Sequence, residues 1–443
     1  MSGEIALGEE VAAQAAQATL SPPLARAGDR MGLFLFGGVL MMLVGLGDPA
    51  MGLINFPVSF FLKNRLHLTA NDLAVFKLWI SIPLFFSFVF GFARDRWSPA
   101  GHGDRGHLVL FGLLTAAAYA ALAFLPPIYG VWAVGLIVAT ALFQMVGGAG
   151  AGLISSIGQQ NAMAGRMSVL LSICASIPIL LSSIAGGFLS NYLEGQGATS
   201  AARLLFLIAA GLMVVIALVG VSRPKALFDA ADPARSEHHF LADVGRLVKH
   251  WPIYPVVLIQ ILWQFSPATG VVLQYHMQGA LHASDSQFGL WNAIFYGSFA
   301  PVYVGYGFLC QRFTLRTLLW AGFGLAVLQM TPLLFVHTTG GALIAAVPMG
   351  MIGGIAQAAL MDLAIRACPP KLQGTMMLLI AISIYYLSQR FGDLFGAYIY
   401  DHHGGFLPTV WITIVIYALI LPVILLVPKA LFATRDGEAL DGA

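Results

Sequence analysis

The chain has 443 residues, 58% hydrophobic and 9% charged, with a formal net charge of +2. Ordinary soluble domains carry roughly 25% charged residues, so this composition excludes a soluble globular protein and points to a polytopic membrane protein. The basic residues form no nucleic-acid footprint, and Cys174, Cys310 and Cys368 form no CxxC or Cys/His cluster, which argues against nucleic acid, a disulfide framework and a structural metal.

Residues 1–30 have no apolar stretch behind a basic start, so they read as a cytoplasmic tail and not as a cleaved signal peptide. At about 20 apolar residues per span, twelve spans are predicted. They lie near 33–61, 71–93, 107–125, 130–157, 168–190, 202–221, 252–275, 287–309, 317–336, 341–365, 374–399 and 406–428. The longest polar stretch, 222–250, follows span six. The predicted organisation is therefore an all-α membrane protein with a six-helix half over 31–221, a cytoplasmic linker over 222–250, a second six-helix half over 251–428 and a tail over 429–443.

If both termini are cytoplasmic, that side holds 17 basic residues and the other only Lys63, Arg65 and Arg203, with Lys77 and Arg390 inside spans. The positive-inside rule then predicts N-in, C-in, in a bacterial inner membrane.

Charged groups inside spans are costly and each needs a reason. In span one, Asp48 lies in a Gly/Pro-interrupted stretch, "VGLGDPAMG", whose freed backbone groups are tolerated only where they line water or find partners. It is a candidate proton carrier; the alternative is a capping carboxylate. In span two, Lys77 is close enough to the outer end for its stem to snorkel to the headgroups, which is the favoured reading. Gln144 and the glycines of 147–152 read as helix-contact residues, and the pairs His238-His239 and His402-His403 as solvated loop residues.

Span seven carries a polar stripe of Gln260, Gln264, Pro267 and Tyr275 beside Trp263, and span eight adds Asn292 and Tyr296 at i and i+4. Such stripes serve helix packing or line a polar, aromatic pocket. Asp362 and Arg366 are spaced for a local ion pair. In span eleven, Arg390 and Asp393 share a helix face with Gln389, Tyr386 and Tyr385 nearby. They are either an internal ion pair or a substrate site, with the Arg390 fork meeting an anionic or lactam-bearing solute and Asp393 holding it and exchanging a proton.

Two halves of six spans suggest the major facilitator architecture, whose halves rock about a midplane site. Between spans two and three, Gly91 stands four residues before an Asp95-Arg96 pair, as in that superfamily's loop signature, which implies a conformational gate; by itself the stretch also reads as a solvated loop turn. Three stretches in order, 52–99, 262–319 and 365–404, together resemble the folate–biopterin transporter family of this superfamily. They contain Leu62-Lys63 with Leu66 and Leu68; Pro267, Tyr275, Gly289, Tyr306 and Arg316; and Cys368-Pro369-Pro370 followed by Gly396. Ser87 and Phe88 stand where the family usually carries Lys-Pro.

The resemblance implies a secondary transporter that imports a small, flat, polar or anionic solute, folate- or pterin-like, with proton coupling. The other readings are a permease or exporter of a different solute, such as a siderophore-like or amino-sugar compound, and a non-transporting sensor or assembly protein. No phosphate loop, nucleophile elbow or metal-ligand helix is present, so no enzyme, cofactor or ATP-driven pump is expected. The expected partners are a small molecule, protons and lipid, and the expected state is a monomer.

Overall fold

In hydrocarbon, backbone N–H and C=O groups must be satisfied internally, which a helix achieves within its own segment. The computed structural model describes residues 27–160, 164–222, 249–367 and 379–428 with positions 245 and 431, and every regular element among them is helical. The N-terminal tail before residue 27, nearly all of the 222–250 linker, the Cys368-Pro369-Pro370 loop with the start of span eleven, and most of the C-terminal tail lie outside the described residues.

The helices before the linker are α1 (Ala27–Gly47), α2 (Asn55–Leu66), α3 (Ala70–Ile80), α4 (Ile82–Phe85), α5 (Ser87–Arg96), α6 (Gly103–Phe124), α7 (Tyr129–Gln160), α8 (Ala164–Glu194) and α9 (Ala198–Ser222). After it come α10 (Ile253–Gln264), α11 (Gly270–Gly279), α12 (Asp285–Gly297), α13 (Phe299–Arg312), α14 (Leu315–Ala326), α15 (Thr339–Arg366), α16 (Tyr385–His402) and α17 (Phe406–Ile424).

Among the described residues, 8 helices are long and apolar enough to cross a membrane, and they coincide with predicted spans three to six, eight to ten and twelve. Span eight carries a one-residue turn at Ser298, between α12 and α13, and the other four predicted spans hold no continuous helix of that length and apolarity. Span one breaks between α1 and α2, span two is divided into α3, α4 and α5, and span seven breaks between α10 and α11. The described part of span eleven opens with a π-helical turn, Leu379–Ile384, ahead of α16. Pro49, Pro83 and Pro267 sit at or beside the first three breaks, where each removes a backbone donor and crowds the preceding turn.

The breaks in spans one and seven share a pattern, Asp48-Pro49-Ala50-Met51-Gly52 and Ser266-Pro267-Ala268-Thr269-Gly270. Both breaks satisfy their backbone, the first locally and the second with the help of α17. In the first, Gly52 N donates to Asp48 O at 2.7 Å and Leu53 N to Leu46 O at 2.9 Å. In the second, Thr269 N donates to Ser266 O at 3.2 Å and Ala268 N to Thr413 Oγ1 at 3.1 Å. The segments that follow also repeat. His67 and His282 are both left-handed, at φ 53 and 52, and each precedes a helix start with a reciprocal capping box, Thr69 with Asp72 and Ser284 with Gln287. This is the signature of two structurally repeated units.

The two sets of helices meet along two seams, α8 against α12 and α3 against α16. The first seam is close because Gly289 has no side chain: a Cβ there would run into the Ser183 carbonyl. Phe288 of α12 is meanwhile enclosed edge-on by Phe56 and Phe60 of α2, at ring-centroid distances of 5.8 and 6.0 Å.

Polar contacts between the sets gather on the face bearing His67, Gln196 and His282, here called the distal face. Ser190 Oγ donates to Asp285 Oδ2 at 2.6 Å, Asn191 Nδ2 to Ser286 Oγ at 2.9 Å, and Asn71 N to Asp401 Oδ2 at 2.9 Å. Lys63 also donates to Gln278, and the Tyr275 hydroxyl to the Leu68 carbonyl. The distal face is therefore held closed.

Candidate functional site

At the C-terminal end of α3, where it meets α16, the four ionisable side chains singled out inside spans gather around Arg390, which interacts with each of the other three. Asp48 comes from the span-one break, Lys77 from α3, and Arg390 and Asp393 from one face of α16. The Arg390 fork is held at two points: Nε donates to Ser81 Oγ at 2.9 Å, and Nη1 to Asp393 Oδ2 at 2.9 Å. Its guanidinium carbon lies 5.8 Å from the centre of the Tyr386 ring. Arg390 is 5% exposed, Asp393 1% and Ser81 0%. Burial at that level strengthens the pair's Coulomb attraction but makes loss of either partner expensive.

Local structure explains each position. Ser81 occupies the junction where α3 ends and α4 begins, so its hydroxyl is free to face α16. Asp393 fits because Gly270, at φ +55, starts α11 directly against it; a side chain there would strike the carboxylate. Asp48 Oδ1 accepts from Ala50 N at 2.7 Å, the capping arrangement expected of a carboxylate in a broken helix.

Aromatic and amide groups surround the charges. Tyr385 and Tyr386 meet edge to face at 5.1 Å, Gln389 Nε2 donates to the Tyr385 hydroxyl at 3.5 Å, and Tyr296 feels both Arg390 and Asp393. One oxygen of Asp393 and the Gln389 carbonyl have no hydrogen-bond partner among the described residues. Within a charge cluster, such acceptors are where a proton, water or ligand can bind.

Of the residues selected from sequence, Asp48, Asp393, Arg390, Gln389, Tyr386 and Tyr296 thus share one neighbourhood. Others are engaged elsewhere. Gln264 Nε2 and Trp263 Nε1 both donate to Gln357 Oε1, at 3.3 and 2.8 Å, and Gln260 Nε2 donates to the Ile380 carbonyl at 3.4 Å. Asn292 turns back to its own helix, donating to Phe288 O at 3.0 Å, and Tyr275 belongs to the distal closure.

At the proposed gate, α5 continues through Asp95 and Arg96, which the sequence reading places in a loop. The side chains of Asp95 and Arg96 lie outside the described residues. Beyond Gly91, the neighbouring Arg94 makes a two-point pair with Asp104, Nε to Oδ1 at 2.7 Å and Nη2 to Oδ2 at 2.8 Å. Asp362 and Arg366 form the expected local pair at 2.9 Å.

The largest departure is Lys77. It does not snorkel to the headgroup region: it is 9% exposed and lies by Arg390 and Asp393. The Thr69–Asp72 capping box carried the missed signal, because it marks the distal end of α3. Lys77 is eight residues further on, about 12 Å along the axis at ~1.5 Å per residue, and so well inside the apolar layer. Ser81 was also unforeseen, since its role depends on a helix from the other end of the chain.

Apolar helices in two seamed sets make this an integral, multi-pass membrane protein, and its fold is that of the major facilitator superfamily. Three solved structures share this fold. The xylose transporter XylE from E. coli, in an inward-open conformation, is 14% identical over 93% of this chain and 98% of its own, with a TM-score of 0.66. A bacterial homologue of the human lysosomal transporter Spinster, inward-facing and unoccupied, is 14% identical over 94% and 100%, with a TM-score of 0.68. The nucleoside transporter NupG is 11% identical over 88% and 98%, with a TM-score of 0.66. The profile of the BT1 family matches residues 49–339. The chain belongs to the BT1 family, the folate–biopterin transporters. A search of curated protein sequences finds no match.

Proposed function

We propose that the protein imports a small, flat, polar or anionic solute, folate- or pterin-like, across a bacterial inner membrane in symport with protons. The observation that carries this reading is the convergence of Asp48, Lys77, Arg390 and Asp393 beside Tyr385, Tyr386 and Tyr296. Family membership supports the substrate class. A buried, balanced set of charges gains nothing over apolar packing unless it does work, because its desolvation penalty exceeds that of a hydrophobic substitute.

In this reading the chain forms twelve spans, four of them broken, as a half over 31–221 and a half over 251–428 joined by a cytoplasmic linker, with both termini inside. The distal face is then extracellular and the conformation inward-facing. Arg390, Gln389, Tyr386 and Tyr296 line the solute site, with Gln260, Gln264 and Asn292 recruited as the halves rock. Asp48 and Asp393 carry protons, and Gly91, Asp95 and Arg96 gate the cytoplasmic side. The protein works as a monomer.

The test is uptake of labelled folate and labelled biopterin into proteoliposomes, with and without an imposed pH gradient. Gradient-driven accumulation of either compound, much reduced in Arg390→Lys, is expected, because an ammonium cannot hold Ser81 and Asp393 together as the planar fork does. No uptake of either compound would refute the substrate class. Equal uptake with and without the gradient would refute symport.

A further inference from the structure

Each of the other charged groups in the cluster has a committed partner. Asp48 accepts from the Ala50 backbone, and Arg390 is divided between Ser81 and Asp393, whose Oδ2 it occupies. Lys77 is different. Among the described residues its ammonium has no hydrogen-bond or ion-pair partner, although the residue is only 9% exposed. The charges that act on it are Arg390, which repels it, and Asp393, whose carboxylate is already shared with Arg390.

An ammonium in a largely buried residue, bonded to no carboxylate or carbonyl, is costly in a membrane interior. It persists where something else supplies the negative charge or admits water. Lys77 and Arg390 place two cations close together on opposite sides of the α3–α16 seam, and the one carboxylate near both has a single unpartnered oxygen, Oδ1. The charges of the cluster balance in number, but among the described residues Lys77 is the one cation in it that is bonded to no partner.

Resting on the folate- or pterin-like reading above, we infer that Lys77 is a solute-binding residue that receives a carboxylate of the transported compound. Arg390, tethered by Ser81 and Asp393, is a fixed neighbour that orients it. The flat part of the solute then lies toward Tyr385 and Tyr386, on α16 of the second set, while the carboxylate is held by α3 of the first. A solute so placed touches both sets, and its binding is coupled to their relative position. Compounds with the same ring but no carboxylate forgo the Lys77 contact.

The experiment uses purified full-length protein and three probes: folate, which joins a pterin ring to a p-aminobenzoylglutamate carrying the carboxylates; p-aminobenzoylglutamate alone; and biopterin, which has the ring and no carboxylate. Affinity is read from thermal shift and calorimetry. Lys77→Gln should weaken binding of folate and of p-aminobenzoylglutamate by about 10- to 100-fold, the range for losing one charge-assisted hydrogen bond. Lys77→Arg should restore most of it, and biopterin affinity should be unchanged in both variants.

A second measurement needs no variant. In the wild-type protein, acetylation of Lys77 by a small succinimidyl ester, located by mass spectrometry, should be blocked by folate and not by biopterin. The assignment is overturned if neither carboxylate compound binds the wild type, if Lys77→Gln binds folate as tightly as wild type, or if Lys77 labelling is absent or indifferent to folate. Loss of the assignment with biopterin uptake intact leaves the transporter reading standing. Carboxylate-dependent binding without uptake of folate or biopterin does the reverse.

Discussion

Arg390 Nε donates to Ser81 Oγ at 2.9 Å, joining residues 309 positions apart in sequence and belonging to opposite helix sets. The bond closes the α3–α16 seam at the level of the charge cluster. A polar side-chain contact inside a membrane protein contributes about 1 kcal/mol, because the unfolded state in lipid also finds partners. Ser81→Ala should lower the melting temperature slightly, and a double-mutant cycle with Arg390→Lys should give a coupling of about that size. A coupling of zero would mean that the two groups do not meet in the protein's predominant state.

The α8–α12 seam should have to open during transport. Asn191 and Ser286 are bonded at 2.9 Å on the distal face. In a background lacking the native cysteines, oxidation of Asn191→Cys with Ser286→Cys should stop uptake, and a reductant should restore it. Full uptake by the cross-linked protein would show that this seam stays shut throughout the cycle.

Asp48 offers a separation of two roles in one side chain. Its Oδ1 caps the break by accepting from Ala50 N at 2.7 Å, a bond that an asparagine carbonyl can also accept. Asp48→Asn should therefore keep the fold and solute exchange but lose accumulation driven by a pH gradient. If gradient-driven accumulation is unaltered, the proton travels elsewhere, and Asp393→Asn becomes the variant to measure.

Orientation is testable by labelling single cysteines at positions 232 and 196 from outside intact cells. Reaction at 196 and none at 232 is the expected outcome. Labelling of 232 from outside would invert the topology, and with it the assignment of the closed distal face as extracellular.

Composition alone determined that the chain lives in lipid, because too few residues are charged to cover a water-facing surface. Hydropathy placed the apolar segments near their observed positions, since the length needed to cross hydrocarbon sets a period that can be read from one sequence. The break at Asp48-Pro49 and the pairing of Arg390 with Asp393 were legible too, the first from proline's missing donor and the second from a three-residue spacing on one helix face. What tertiary structure decided was which distant groups share a site. Lys77 looked close to the headgroups when its span was considered by itself, and its burial follows from α3 being pressed against α16. Ser81 is an ordinary serine until Arg390 arrives from the other end of the chain. Gln260, Gln264 and Asn292 look in sequence much like the residues of the cluster, yet each is taken up by a partner in its own half: the Ile380 carbonyl, Gln357 and the Phe288 carbonyl. Periodicity tells which face of a helix is polar. Only the packing of one helix on another tells what that face meets, and in an apolar medium the meeting determines whether a charge is a liability, a clamp or a binding group.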